Sequence, residues 1–141
     1  MKFNEFFVGQ TFKTKSLEMS KEDIMRFASE FDPQYMHLDE DKAKKGRFNG
    51  IIASGVQTLA VTFKLWIETG SYGDDVIAGT AFNNIKFIKP VYPGDILYTH
   101  VEVIEVKEKR NDTGLVTVRF STFNHNEEVV FTGDLSALVQ K

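Results

Sequence analysis

In the run Phe31-Asp32-Pro33-Gln34-Tyr35-Met36-His37 an acid and an imidazole stand five positions apart, with a proline directly after the acid. On an unbroken helix of ~3.6 residues per turn, two such positions point about 140° away from each other. Pro33 changes this. Its ring disfavours the α region for Asp32, so a helix reaching this point should stop, and an irregular turn can bring Asp32 and His37 towards one point. Near neutral pH an ordinary carboxylate is charged and an ordinary imidazole largely neutral, so both can accept a proton from a water held between them. Downstream lies Gly50-Ile51-Ile52-Ala53-Ser54-Gly55. Ser54 and Gln57 have the spacing of a capping box, in which the serine accepts from the backbone of Gln57 while the Gln57 side chain reaches back. Gly55 has no side chain and so permits close approach to the first N–H groups of the helix, which suit a developing negative charge.

Taken singly, each of these residues has a structural explanation as well. Asp32 fits a helix-terminal carboxylate or an Asx-turn before Pro33, His37 fits a hydrogen-bonded loop residue, and capping alone accounts for Ser54. Gln34, Tyr35 and Met36 suit a pocket lining and a packed loop equally.

The elements needed to place these groups can be read from the pattern. Ser20 with Asp23 has the look of a cap, and Ile24, Phe27, Ala28 and Phe31 follow at helical spacing, so an amphipathic helix ends at Asp32. Asp39-Glu40-Asp41 before Lys42, Lys44, Lys45 and Gly46 reads as a short exposed helix with its charges placed as the dipole prefers. From Ser54 a longer helix should run to Gly70 or Gly73. One of its faces carries Val56, Leu59, Ala60, Phe63 and Ile67, while Val61, Leu65 and Trp66 widen the apolar surface, which implies burial on several sides. Beyond Val76 the period becomes two: Val116, Val118 and Phe120 alternate with Thr117, Arg119 and Ser121. Pro93-Gly94-Asp95, Asn111-Asp112-Thr113-Gly114 and Asn124-His125-Asn126 supply turns at the spacing of long hairpins. With a strand over residues 10–17, the architecture is α+β, a strongly curved antiparallel sheet around one buried helix.

Composition narrows the function. A length of 141 residues fits one domain, and 17 Lys+Arg against 20 Asp+Glu give a net charge of −3, with no basic face of the kind nucleic acid requires. The chain has no cysteine and only three scattered histidines, so disulfides, thiolate chemistry and a metal site are not expected. Residues 1–10 contain no signal-length apolar run, and residues 51–67 are interrupted by Ser54, Gln57, Thr58, Thr62 and Lys64. A cytoplasmic protein without a membrane span is expected. Trp66 reads as core; His100 and His125 read as structural or exposed.

Asp32, His37, Gly50, Ile52, Ala53 and Gly55 resemble the signature of the MaoC-like dehydratases, also called (R)-specific enoyl-CoA hydratases, of the hot-dog superfamily. In that family Asp, four residues and His precede a Gly-x-Ile-Ala-x-Gly segment that opens a long central helix. Lys89-Pro90-Val91-Tyr92-Pro93-Gly94-Asp95 is similar to the family's Pro-Gly-Asp turn between two strands. The resemblance extends from about Ser20 to the C-terminus; many family members carry histidine where this chain has Ser54. It implies a single hot-dog domain over residues 1–141, its curved antiparallel sheet wrapped around a long central helix. It further implies that Asp32 and His37 are catalytic and that Ser54 and Gly55 bind substrate. The implied reaction adds water to a trans-2-enoyl-CoA to give an (R)-3-hydroxyacyl-CoA, the activity of a lyase of fatty acid metabolism. No cofactor is implied beyond the coenzyme A carried by the substrate. The resemblance also implies a homodimer or higher homo-oligomer. Two other readings take the same acyl thioesters: a hot-dog acyl-CoA thioesterase and a non-catalytic acyl-thioester binding subunit. The basic residues Lys42 to Arg47 suit both the phosphates of coenzyme A and a solvated helix face, the latter better.

Overall fold

Ser20 accepts a hydrogen bond from the Asp23 backbone N–H (3.1 Å) and so starts helix α1 (Lys21–Phe31). This is one of the places where local chemistry alone sets an element boundary. The computed structural model describes residues 1–141. Ile24 and Ala28 turn inward from α1, while Phe31 at its last turn is exposed. Asp32 closes the helix with φ −151°, and its own N–H still reaches Ala28 O at 2.9 Å. The stretch after Pro33 is more ordered than the expected irregular turn. Gln34 leads into a one-turn helix, α2 (Tyr35–Leu38), which carries His37, and Asp39 then caps α3 (Glu40–Lys44) by accepting from Lys42 N–H at 3.0 Å.

The longest helix, α4 (Gly55–Glu68), starts where the sequence places it, but it is oriented differently from the apolar count. Gln57, Thr58, Thr62, Leu65 and Trp66 are buried, whereas Val56, Phe63 and Ile67 are exposed. The reason lies in the sheet beneath. Thr62 Oγ1 hydrogen-bonds Thr122 Oγ1 at 2.7 Å, Thr122 Oγ1 hydrogen-bonds Thr99 Oγ1 at 2.8 Å, and Thr99 N–H donates to Thr14 Oγ1 at 2.9 Å. These hydroxyls satisfy one another, so the polar side of α4 can be buried at little cost. The expected capping box does not form, because the Gln57 N–H donates to the Ser54 carbonyl (3.0 Å) and not to its hydroxyl. Ser54 Oγ accepts from Val56 N–H at 3.2 Å, and the Gln57 side chain does not reach back.

Six strands make the sheet: β1 (Thr11–Lys13), β2 (Leu17–Glu18), β3 (Val76–Phe87), β4 (Ile96–Glu108), β5 (Thr113–Phe123) and β6 (Val129–Gln140). The expected first strand is thus two short pieces. The spatial order is β1-β4-β5-β6-β3, with β2 also on β4, and each pairing is antiparallel. Two of the expected turns do join hairpins, β4 to β5 and β5 to β6. The Pro93-Gly94-Asp95 turn does not, because β5 and β6 stand between β3 and β4. It is instead a crossover corner, with Gly94 at φ +91°, Asp95 Oδ2 accepting from Tyr92 N–H (2.9 Å), and Gly94 N–H donating to Met19 O (2.7 Å).

Val101, Val103, Val116, Val118, Phe120 and Leu135 of the sheet share one buried core with Trp66 of α4, and burial of side chains this size contributes about 1.5–3 kcal/mol each. Trp66 meets Phe120, Phe12 and Tyr72 edge to face. A curved antiparallel sheet wrapped around a central helix is the hot-dog arrangement. No helix is long and apolar enough to cross a membrane.

Candidate active site

Three backbone hydrogen bonds hold the segment that carries the chemistry. His37 N–H donates to Gln34 O (3.1 Å), Ile52 N–H to Met36 O (3.0 Å), and Ala53 N–H to Val91 O (2.8 Å). The second and third lash α2 and the crossover corner to the approach of α4. Asp32 and His37 on one side, and Ser54 and Gly55 on the other, therefore converge on one cavity of about 480 Å³.

His37 is buried, and its two ring nitrogens have different tasks. Nδ1 lies 2.6 Å from Ile52 O. A carbonyl can only accept, so Nδ1 carries a proton and the ring is fixed in orientation. Nε2 is turned to Asp32 Oδ2 at 3.2 Å. With His37 neutral, both atoms of that contact are acceptors. Two acceptors so close call for a hydrogen between them, supplied either as a proton shared by the pair or by a water that donates one O–H to each.

Asp32 is held ionised by its neighbours. The Ser54 hydroxyl beside it contributes most and the Gln34 amide next, and together with His37 they outweigh partial burial and keep its carboxyl below the usual carboxylate range. Gln34 Nε2 donates to Oδ1 at 2.6 Å. Ser54 is fully buried, so it both caps α4 and bears on Asp32. A single side chain thus couples the helix start to the acid. Gly55 is the first residue of α4, where backbone N–H groups have no acceptor upstream in the helix. A side chain at this position would meet the Phe87 ring at 2.8 Å, so the absence of one is required for the close approach of β3.

All four residues singled out in the sequence therefore line the same cavity. Gln34 and Met36 line it as well, while Tyr35 turns away and stacks under Lys42 Nζ at 4.8 Å. Reading the sequence misses Phe48, Thr58, Phe87, Lys89 and Val130, which come from α4, the sheet and the connecting loops. Nothing local marks these residues; the packing of α4, the end of β3 with its crossover, and β6 together bring them to Asp32. His100 lies exposed on β4, and His125 accepts from Ile96 N–H at 3.2 Å, so neither is near the pair. No three His, Asp or Glu side chains converge anywhere in the chain to form a metal-ligand set.

The chain matches known proteins along most of its length. Residues 4–125 match the model of the MaoC like domain. The chain is 65% identical to the uncharacterized protein YdeM of Bacillus subtilis over 141 residues, 100% of both chains. It is 30% identical to the mitochondrial 3-hydroxyacyl-[acyl-carrier-protein] dehydratase of Arabidopsis thaliana over 124 residues, 85% of this chain and 70% of that one. Among solved structures, the MaoC-like dehydratase from Rhodospirillum rubrum superposes with a TM-score of 0.92 at 30% identity, covering 100% of this chain and 97% of that chain.

Proposed function

Since the chain belongs to the MaoC-like dehydratase family, we propose that it hydrates a trans-2-enoyl thioester to the (R)-3-hydroxyacyl thioester, or runs the reverse dehydration. The observation that carries this reading is the 3.2 Å contact between Asp32 Oδ2 and His37 Nε2 at the wall of the cavity. A water that donates one hydrogen to each of these atoms leaves an oxygen lone pair directed into the cavity, towards C3 of the bound enoyl group. As the C3–O bond forms, the pair takes one proton from the water. The C2=C3 electrons move towards the thioester, and a proton delivered to C2 completes the addition, so the product differs from the substrate by one water. Each well-placed acid–base group supplies about 10²–10⁴ in rate.

The negative charge that builds on the thioester oxygen needs a donor. In this reading the Gly55 N–H at the start of α4 supplies it, and Ser54 keeps the helix start and Asp32 in a fixed relation. The pair handles protons without a cofactor, coenzyme A or an acyl carrier being part of the substrate. The dehydratase from Arabidopsis, at 30% identity, supports this class of reaction.

Assembly belongs to the same proposal. Val56, Phe63 and Ile67 on α4, together with Phe82 and Phe87 on the edge strand β3, form an exposed apolar surface beside the cavity. A second copy of the chain would cover it and the free strand edge, which uncovered would be an aggregation liability. Light scattering should then report at least a dimer, and an active monomer at micromolar concentration would count against the arrangement.

The chemistry is tested by following the conjugated enoyl absorbance and free thiol in parallel. The expected result is loss of conjugation from a short or medium trans-2-enoyl-CoA with no thiol release. Rapid thiol release that survives loss of His37 would favour a thioesterase, and silence in both channels a binding subunit.

A further inference from the structure

Down the buried side of α4 run three hydroxyls at one-turn intervals, those of Ser54, Thr58 and Thr62. The fold uses the first and the third. Ser54 Oγ accepts from Val56 N–H at 3.2 Å and bears on Asp32, and Thr62 Oγ1 pairs with Thr122 Oγ1 at 2.7 Å. Thr58, between them, is only 3% exposed, yet its hydroxyl hydrogen-bonds no protein group and is not among those that act on Asp32. Nor is it sealed off. The buried polar atoms that lack both a partner and access belong to Gln57, Trp66 and Tyr72. The space open to Thr58 is the cavity whose wall it shares with Asp32, His37, Ser54 and Gly55. A buried hydroxyl without a partner is costly, and valine would line the same wall without that cost.

Helix geometry sets this hydroxyl close to the reacting atoms. Residues three and four apart on a helix are neighbours, and side chains lean towards the helix N-terminus, so the Thr58 side chain lies over the turn that begins at Ser54 and Gly55. Thr58 N–H donates to Ser54 O at 3.2 Å, which fixes that turn. The cavity lining is also graded in depth. Thr58, Ser54, His37 and Val130 are buried, whereas Phe48, Val56 and Phe87 are exposed, so a substrate that enters past the exposed residues brings its reacting end to the part where Thr58 lies.

A thioester oxygen has two lone pairs, and the Gly55 N–H at the start of α4 serves only one of them as charge builds. We infer that the Thr58 hydroxyl is the second donor, hydrogen-bonding the thioester oxygen as water adds at C3. This rests on the hydration reading above and adds a catalytic group to it. The threonine keeps its proton throughout. Its hydrogen bond tightens as the oxygen gains charge and relaxes when C2 is protonated, while the proton taken from the water stays with Asp32 and His37. In the deep part of the cavity such a donor acts more strongly than it would in water, because the surroundings screen it less.

Two substitutions in the purified full chain separate the donor from the shape. Thr58→Val keeps the branched side chain and removes the O–H, and Thr58→Ser keeps the O–H and removes a methyl. With trans-2-butenoyl-CoA, Thr58→Val should lower kcat by at least about tenfold with KM within about threefold, and Thr58→Ser should stay within about threefold of wild type in kcat. Thr58→Ala takes the place of the valine variant if that does not fold. Binding of butyryl-CoA, isotope-labelled at its carbonyl carbon, follows the same contact without turnover: the infrared carbonyl stretch should fall on binding to wild type and to Thr58→Ser, and fall less on binding to Thr58→Val. Wild-type kcat in Thr58→Val, equal loss in the valine and serine variants, or one carbonyl frequency in all three proteins overturns the inference. If no enoyl thioester is hydrated but the bound carbonyl still responds to the Thr58 hydroxyl, the hydration reading fails while the donor stands. Hydration at full rate in Thr58→Val with an unmoved carbonyl sinks the donor alone, and a wild type that neither hydrates the enoyl thioester nor binds the butyryl thioester overturns both.

Discussion

Among the carboxylates of this chain that sit beside nitrogen groups, Asp134 and Asp32 are built for opposite ends. Asp134 on β6 is buried and receives Arg119 Nε at 2.9 Å, Arg119 Nη2 at 3.1 Å and Asn84 Nδ2 at 2.8 Å. Burial would push its carboxyl up, but the guanidinium and the amide outweigh this and hold it below the usual carboxylate range. Arg119 is paired opposite it across β5 and β6, so the strand register itself fixes the contact. Asp32 has no such closure. It terminates a helix, takes one amide hydrogen bond from Gln34, faces an imidazole that can give or accept a proton, and opens on a cavity. A carboxylate whose partners are all fixed donors can only hold structure together. One left with an exchangeable partner and room for a substrate can react.

The largest expected effect breaks this comparison at the reactive pair. Asp32→Asn and His37→Ala should each lower hydration turnover by at least about 10², equivalent to roughly 2.7 kcal/mol of barrier, with the thermal midpoint little changed. Arg119→Met should do the reverse. It leaves Asp134 buried with only Asn84 to serve it, so stability should fall by about 1.5–3 kcal/mol in a urea titration while kcat stays within about twofold. Full activity in Asp32→Asn would remove that residue from the mechanism, and an unaltered urea midpoint in Arg119→Met would show that the strand pair is ornamental.

The contrast also explains what the sequence could and could not reveal. Asp32, His37, Ser54 and Gly55 were legible because their spacing is local: a proline break, a one-turn approach and a helix start are all written within a few residues. The Asp134, Arg119 and Asn84 cluster depends on the register of three strands and on a bulge that puts Asn84 at φ +56°, and no local pattern carries that information. Helix α4 was misread for a related reason. Its apolar face points outward, because the side facing the sheet is chosen by Thr99 and Thr122, which are far away in sequence. The corner at Gly94 was legible as a turn but not as a crossover, since turn chemistry is local and strand order is not.

Acid should separate the two carboxylates further. Both have folded-state pKa values below the usual carboxylate range, so the stability each contributes is present above the unfolded-state pKa and is lost as the pH falls through the folded-state value. The protein should therefore lose stability in the acid range below the normal carboxylate pKa. Asp134→Asn should flatten that fall more than Asp32→Asn, because Asp134 is the more deeply buried and the more fully bonded. Equal flattening by the two variants, measured as urea midpoints across this range, would erase the proposed distinction.

Gln57 extends the comparison to a polar group with no partner, and it carries the smallest expected effect. A buried amide oxygen without a partner is a burden on the fold, and Gln57→Leu should stabilise the protein, by up to about 1 kcal/mol once the cost of the altered shape is set against the relief of desolvation. The sign is what matters. Removing a partner from Asp134 costs stability because the remaining group is stranded, whereas replacing Gln57 strands nothing, its Oε1 having no partner to lose. A urea midpoint that rises in Gln57→Leu would show that the amide is held without a partner in solution and is unlike the fully bonded Asp134. A fall of more than about 1 kcal/mol would mean that the amide has a structural partner, such as a buried water, and belongs with Asp134 instead.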